Sequence, residues 1–157
     1  MDDLVVDDLT AADLAGIAWA GPPPHIDAME TELERCRRGD AVYLAVRAPD
    51  GRPLAVGTAD FTSRPGTGYL SQLITHPAVR SCGLGTRLVA ALEGRIRARG
   101  LRAATLAVET GNPRARKLYE RLGYVVVGQS HQSWTAVDVD HTPFTYACVC
   151  DEMRHDL

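Results

Sequence analysis

The 157-residue chain is poor in aromatic residues, 6% in all with two Trp and two Phe. It contains no run approaching the roughly 20 consecutive apolar residues of a membrane-spanning helix, so no membrane partner is expected. Nor does it carry an excess of positive charge: 17 Lys and Arg stand against 20 Asp and Glu, a formal net charge of −3. That balance argues against a nucleic-acid partner while leaving room for local basic patches and for a phosphate-bearing small molecule. The opening "MDDLVVDDL" is acidic where a secretory signal would be positively charged, so the expected location is cytoplasmic. The four cysteines, Cys36, Cys82, Cys148 and Cys150, form no CxxC pair and no metal-ligand spacing. No metal is expected, and reduced thiols are favoured, with Cys148 and Cys150 on one face of a strand.

What is present is the composition of one ordinary domain, 1–157, with 45% hydrophobic and 24% charged residues. There is no internal repeat and no long linker. "LTAADLAGIAWAG" predicts a helix capped by Thr10 and ended by Gly21 and the prolines 22–24, and a second helix is expected from about Ile26 to Arg38. Strand-forming runs at 41–48, 53–63 and 68–75 are separated by "PDGR" and "SRPGTG", which favours an antiparallel meander. After Gly85 the period changes: Leu88, Leu92 and Ile96 recur every four residues up to Gly100. "LRAATLAVE" (101–109) reads as a buried strand, and "TGNPRARKLYERLGY" as a helix with Asn112 as cap, Pro113 at its first position and Gly123 as stop. "YVVVGQ" and "FTYACVC" are expected as final strands joined by the long polar connection "SHQSWTAVDVDHTP". The class is α/β (α+β), with a mixed, mostly antiparallel sheet flanked by helices.

The stretch "RSCGLGTR" (80–87) places two glycines between a strand and a helix. Without Cβ atoms the backbone turns tightly and brings N–H groups against an anion, and the helix dipole adds to the attraction. A P-loop would need Gly-Lys-Ser/Thr, which is absent, and a dinucleotide fingerprint would need a third glycine at position 88, where Leu88 stands. Neither nucleotide motif fits.

A third pattern does. "LITHPAVRSCGLGTRLVAALE" resembles the acyl-CoA-binding motif of the GCN5-related N-acetyltransferases, Arg/Gln-x-x-Gly-x-Gly/Ala leading into a helix, with Arg80, Gly83 and Gly85 at the signature positions. Asn112 lies 27 residues after Gly85 and opens a segment similar to that family's second motif, matched by Ala115, Leu118, Tyr119, Gly123 and Tyr124. Two motifs in order are more specific than either alone.

The resemblance implies acetyl-CoA as acyl donor, bound at splayed central strands. Its pyrophosphate would rest on the backbone amides of Ser81, Cys82, Gly83, Leu84, Gly85 and Thr86 after Arg80, and its pantetheine arm along Leu73, Ile74 and Thr75 in the manner of an added strand. Asn112 would cap its helix and bond near the pantetheine. Tyr119 matches the tyrosine proposed to protonate the coenzyme A sulfur as general acid. Family members commonly attack directly, so Cys82 is not required as a nucleophile.

No conventional base is present: Ala107 stands where some relatives have glutamate, and Tyr69, Ser71 and Gln72 where others do. Asp60, Glu109 and His25 remain candidates, as does a water chain. His76 and His131 are expected at the surface. Lys117 or Arg116 is the choice for the 3′-phosphate, and Glu30, Glu32, Asp138 and Asp140 are candidates to attract a cationic acceptor. The acceptor expected is a small-molecule or peptide amine, and a homodimer fits the reading. The alternative from another class is a catalytically degenerate acyl-CoA-binding sensor or partner module, which the missing base would suit. Retention of Tyr119 argues for catalysis.

Overall fold

The computed structural model describes residues 3–157. They form two compact units, one running to Ala104 and including Leu157, the other Thr105–Asp156. The expected mixture of helices and mostly antiparallel strands is present.

In the first unit β1 (Val5–Asp8), β2 (Ala41–Arg47), β3 (Pro53–Asp60) and β4 (Gly68–Thr75) form an antiparallel meander in chain order. The third strand stops before the expected residue 63 because Asp60 accepts hydrogen bonds from the amides of Thr62 (2.8 Å) and Ser63 (3.2 Å) and turns the chain. Helix α1 (Pro23–Arg37) starts earlier than expected, since prolines fit the first turn, where no N–H is needed. The helix expected over "LTAADLAGIAWAG" is instead two 3₁₀ segments, Ala11–Gly16 and Ala18–Ala20. Ile17 between them has φ −119° and ψ 24° and is fully buried, so its packing into the core overrides the local helical pattern.

Two apolar layers cover this meander. On one face Leu9, Ile17, Met29 and Leu33 pack with Tyr43 and Ala45 of β2. Helix α2 (Leu84–Ala98) buries Leu84, Leu88, Val89, Leu92 and Ile96, and Leu88 and Leu92 reach β3 at Gly57. Between β3 and β4 the register shifts: Val56 pairs with Ile74 but Thr58 with Ser71, so Gly57 alone faces Gln72 and Leu73. This is a β-bulge, and Gln72 takes a left-handed φ of 53° within it. A Cβ on Gly57 would lie 2.3 Å from Leu73 Cδ2 and 3.1 Å from Leu88 Cδ2. Gly57→Val is therefore expected to destabilise the fold by about 1–3 kcal/mol through overpacking, seen as a lower urea midpoint at unchanged slope.

Arg47 ties the chain start to β2, donating two 2.8 Å hydrogen bonds to Asp13. The bonded guanidinium lowers the Asp13 carboxyl from 3.8 to about 2 against the opposing effect of burial. A depressed carboxyl contributes stability above its unfolded value, and this is lost as pH falls through the folded one. The unfolding midpoint should thus drop between pH 4 and pH 2, and Arg47→Met should flatten that part of the profile.

The second unit contains most of β5 (Ala103–Glu109), α3 (Pro113–Arg121), β6 (Val125–Val137) and β7 (Pro143–Asp156), with β7 between β5 and β6. The long polar connection expected before the last strand is not a loop. β6 and β7 continue as a hairpin, and the turn is only 138–142, closed by Asp138 accepting from the amides of Asp140 (2.8 Å) and Thr142 (2.9 Å). Trp134 pairs with Tyr146 across the hairpin at a ring separation of 4.8 Å. Because β6 is exposed along most of its length and buries no residue fully, it carries no apolar alternation from which to read a strand. Among the described residues no helix is long and apolar enough to cross a membrane.

Candidate active site

The glycine loop lies in the first unit. β4 ends at Thr75, a 3₁₀ turn spans Pro77–Val79, and α2 begins at Leu84. Ser81 (φ 65°) and Gly83 (φ 79°) are both left-handed, and Gly83 is the N-cap of α2 with no side chain capping it. The intrahelical bonds begin with Arg87 N–H to the Gly83 carbonyl at 3.2 Å. The amides of Leu84, Gly85 and Thr86 therefore have no partner from the helix ladder and point out of its positive end. Leu84 is buried and anchors the loop, whereas Arg80, Ser81, Cys82, Gly83 and Thr86 are exposed. The space a Gly83 side chain would fill is open, with nothing within 4 Å. Cys82 is exposed, with Sγ 3.7 Å from the Arg80 carbonyl. On β4, Ile74 and Thr75 pair with Val56 and Ala55, next to the bulge at Gln72 and Leu73.

The second unit holds the other motif. Asn112 caps α3, its Oδ1 accepting from the Ala115 amide at 3.2 Å, as its sequence position predicts. One turn from the helix end, Tyr119 packs edge-on against the Tyr124 ring at 6.0 Å. Burial pushes the Tyr119 phenol up, so it holds its proton at neutral pH, and its hydroxyl makes no hydrogen bond among the described residues. The motif glycine, Gly123, has φ 100°, and a Cβ there would lie 2.8 Å from His155 Nε2. No other residue fits that position without displacement.

The candidate bases separate clearly. Asp60 receives two 3.0 Å bonds from Arg35 besides its backbone donors. Burial raises its carboxyl, but these bonds outweigh burial and hold it well below the usual carboxylate range. Asp60 is a structural anion, which corrects its reading as a base. Glu109 is half-buried and accepts from Tyr146 Oη at 3.1 Å through Oε2, leaving Oε1 without a bond among the described residues. His25 is depressed by burial, which favours the neutral ring, and its Nε2 is buried without a hydrogen-bond partner among the described residues.

Other side chains are also committed. His76, expected at the surface, is half-buried: its Nδ1 accepts from the Ala78 amide at 3.0 Å and its ring lies 5.2 Å from that of Trp19. His131 is exposed, as expected. Arg116 bonds Glu120 (2.8 Å) and Asp151 (3.0 Å), which takes it out of the running as the free cation for a phosphate and leaves exposed Lys117. Glu32 pairs with Arg35 and Asp138 builds the hairpin turn, so neither is a loose charge for an acceptor, while Glu30 and Asp140 are exposed. Cys148 and Cys150 are free thiols on one face of β7, with Sγ atoms 3.6 Å apart. The signal in the sequence for the bulge at Gly57 and Gln72 is the glycine inside the strand "LAVGTAD".

The model of the acetyltransferase (GNAT) family matches residues 11–124, spanning both motifs. The chain belongs to that family. Among curated proteins, this GNAT chain is 43% identical over 103 residues to L-methionine sulfoximine/L-methionine sulfone acetyltransferases of Pseudomonas aeruginosa and Pseudomonas paraeruginosa. The match covers 62% of this chain and 58% of each relative. In fold it is similar to a phosphinothricin acetyltransferase from Sinorhizobium meliloti solved with AcCoA, with TM-score 0.74 and 19% identity over 99% of this chain and 89% of the other. It is equally similar to a ribosomal-protein-alanine N-acetyltransferase from Brucella melitensis, with TM-score 0.74 and 19% identity over 98% and 99% of the two chains.

Proposed function

We propose that this chain transfers the acetyl group of acetyl-CoA to an amine by direct attack. The observation that carries the reading is the amide row entering α2 behind Gly83, which no side chain caps, in a chain of this family. It suits the pyrophosphate of coenzyme A, a divalent anion that needs N–H donors and a helix dipole rather than particular side chains. The pantetheine arm runs along Leu73–Thr75.

The neutral amine attacks the thioester carbonyl carbon, the C–S bond breaks, and Tyr119 passes its phenolic proton to the departing thiolate. Glu109, the candidate carboxylate with an uncommitted oxygen, takes the proton lost by the attacking nitrogen. The names of the Pseudomonas relatives support a small amino acid with an oxidised-sulfur side chain as the acceptor class. Release of coenzyme A thiol, followed with a panel containing L-methionine sulfone, L-methionine sulfoximine, phosphinothricin, spermidine and an N-terminal alanine peptide, tests this. Turnover on at least one amine is expected. Acetyl-CoA binding with no thiol release on any of them would instead favour an acyl-CoA sensor.

A further inference from the structure

Tyr43 is 1% exposed in the middle of β2, and its hydroxyl donates a 2.8 Å hydrogen bond to Gln72 Oε1. Burial pushes the phenol up, so the hydroxyl remains a donor throughout the neutral range. Gln72 is the left-handed residue of the β4 bulge, at φ 53°. Glutamine rarely adopts this conformation, and it persists only where the surroundings hold it. Here they do so from several sides. Tyr43 pins the side chain, and Gly57 leaves room for Leu73. Fully buried Thr58 binds the preceding residue through a 3.1 Å bond to the Ser71 carbonyl and a 2.8 Å contact with Ser71 Oγ. Gln72 Nε2 makes no bond, so the Tyr43 hydroxyl is the one hydrogen-bond partner of this side chain among the described residues.

We infer that Tyr43 and Gln72 are a positioning pair that sets the main-chain direction of β4 from Gln72 to Thr75 for the arm of the acyl donor. This rests on the reading of β4 as the strand along which pantetheine lies. An extended arm bonding to a strand needs N–H and C=O groups at fixed positions. The left-handed turn at Gln72 decides where the peptide groups on either side of it point. Releasing Gln72 lets its φ relax toward the extended region, and the groups after it move out of register.

The test titrates acetyl-CoA and adenosine 3′-phosphate 5′-diphosphate, which keeps the pyrophosphate and lacks the arm, into the wild type and into Tyr43→Phe, Gln72→Leu and Gln72→Glu. Tyr43→Phe and Gln72→Leu are each expected to weaken acetyl-CoA roughly three- to tenfold, the loss of one hydrogen bond, with binding of the arm-free nucleotide unchanged. Gln72→Glu, whose carboxylate still accepts from Tyr43, should bind acetyl-CoA as the wild type does. Combining Tyr43→Phe with Gln72→Leu should add nothing to either alone. If Tyr43→Phe fails to fold, Gln72→Leu at its half-buried position carries the test. Unchanged acetyl-CoA binding in these variants, or equal loss of both ligands, would overturn the pair. Wild-type protein that binds no acetyl-CoA would overturn the acyl-transfer reading, and the pair with it.

Discussion

Tyr119→Phe is expected to lower kcat by about two to four orders of magnitude, the usual worth of a positioned acid, while leaving acetyl-CoA affinity within about a factor of three. The substitution keeps the ring, so the edge-on packing against Tyr124 at 6.0 Å survives and the fold should be unaffected. Only the hydroxyl is lost. That hydroxyl is protonated and carries no hydrogen bond among the described residues, so removing it leaves no partner stranded and costs nothing in the ground state. A loss confined to kcat marks an interaction made only in the transition state. Raising the pH should not restore the variant, and replacing acetyl-CoA by a thioester with a more acidic leaving thiol should narrow its deficit, since a better leaving group needs less help from an acid. Steady-state kinetics together with calorimetric titration of acetyl-CoA decide it: equal turnover in the variant and the wild type would remove Tyr119 from the mechanism.

Gly83→Val should weaken acetyl-CoA binding by roughly ten- to a hundredfold. At φ 79° an L residue bears a steric cost of about 1–2 kcal/mol, and a β-branched one is a genuine outlier. The valine must either strain the N-cap of α2 or move it, and both disturb the amides of Leu84, Gly85 and Thr86. The side chain also projects into the open space before the loop, where the anion is proposed to sit. Far-ultraviolet circular dichroism should show the helix intact, because α2 is held by Leu88, Val89, Leu92 and Ile96 in the core and not by its cap. Cys82→Ala, one residue earlier, provides the contrast: its exposed thiol makes only a 3.7 Å contact with the Arg80 carbonyl, and its removal should change neither constant.

Much of this architecture is local and therefore legible in the residues. The turns around "PDGR" and "SRPGTG" delimit β2, β3 and β4, Pro113 and Asn112 mark the start of α3, and the four-residue recurrence of leucines marks α2. The second motif could be placed because Asn112 and Gly123 serve the helix that carries it: one is its cap and the other the left-handed residue just beyond its end. What was not legible depends on distant partners. Asp60 resembles a free acid in the sequence, and only the fold brings Arg35, 25 residues away, against it. His76 looks like a surface residue until Trp19 is found beside its ring. Both final strands are legible, but their continuation through "SHQSWTAVDVDHTP" is not, because the outer strand is solvated and the period-two pattern that reveals a half-buried strand is absent there. Gln72 reads as an ordinary strand residue, and its left-handed turn becomes visible only from the register of β3 and β4.

If the loop before α2 is an anion cradle, an amide-resolved NMR titration with acetyl-CoA shows it most directly. The backbone N–H signals of Ser81–Thr86 should shift furthest, those of Leu73–Thr75 should follow, and adenosine 3′-phosphate 5′-diphosphate, which keeps the pyrophosphate, should reproduce the first set without the second. Saturable binding that leaves the signals of Ser81–Thr86 in place would contradict it.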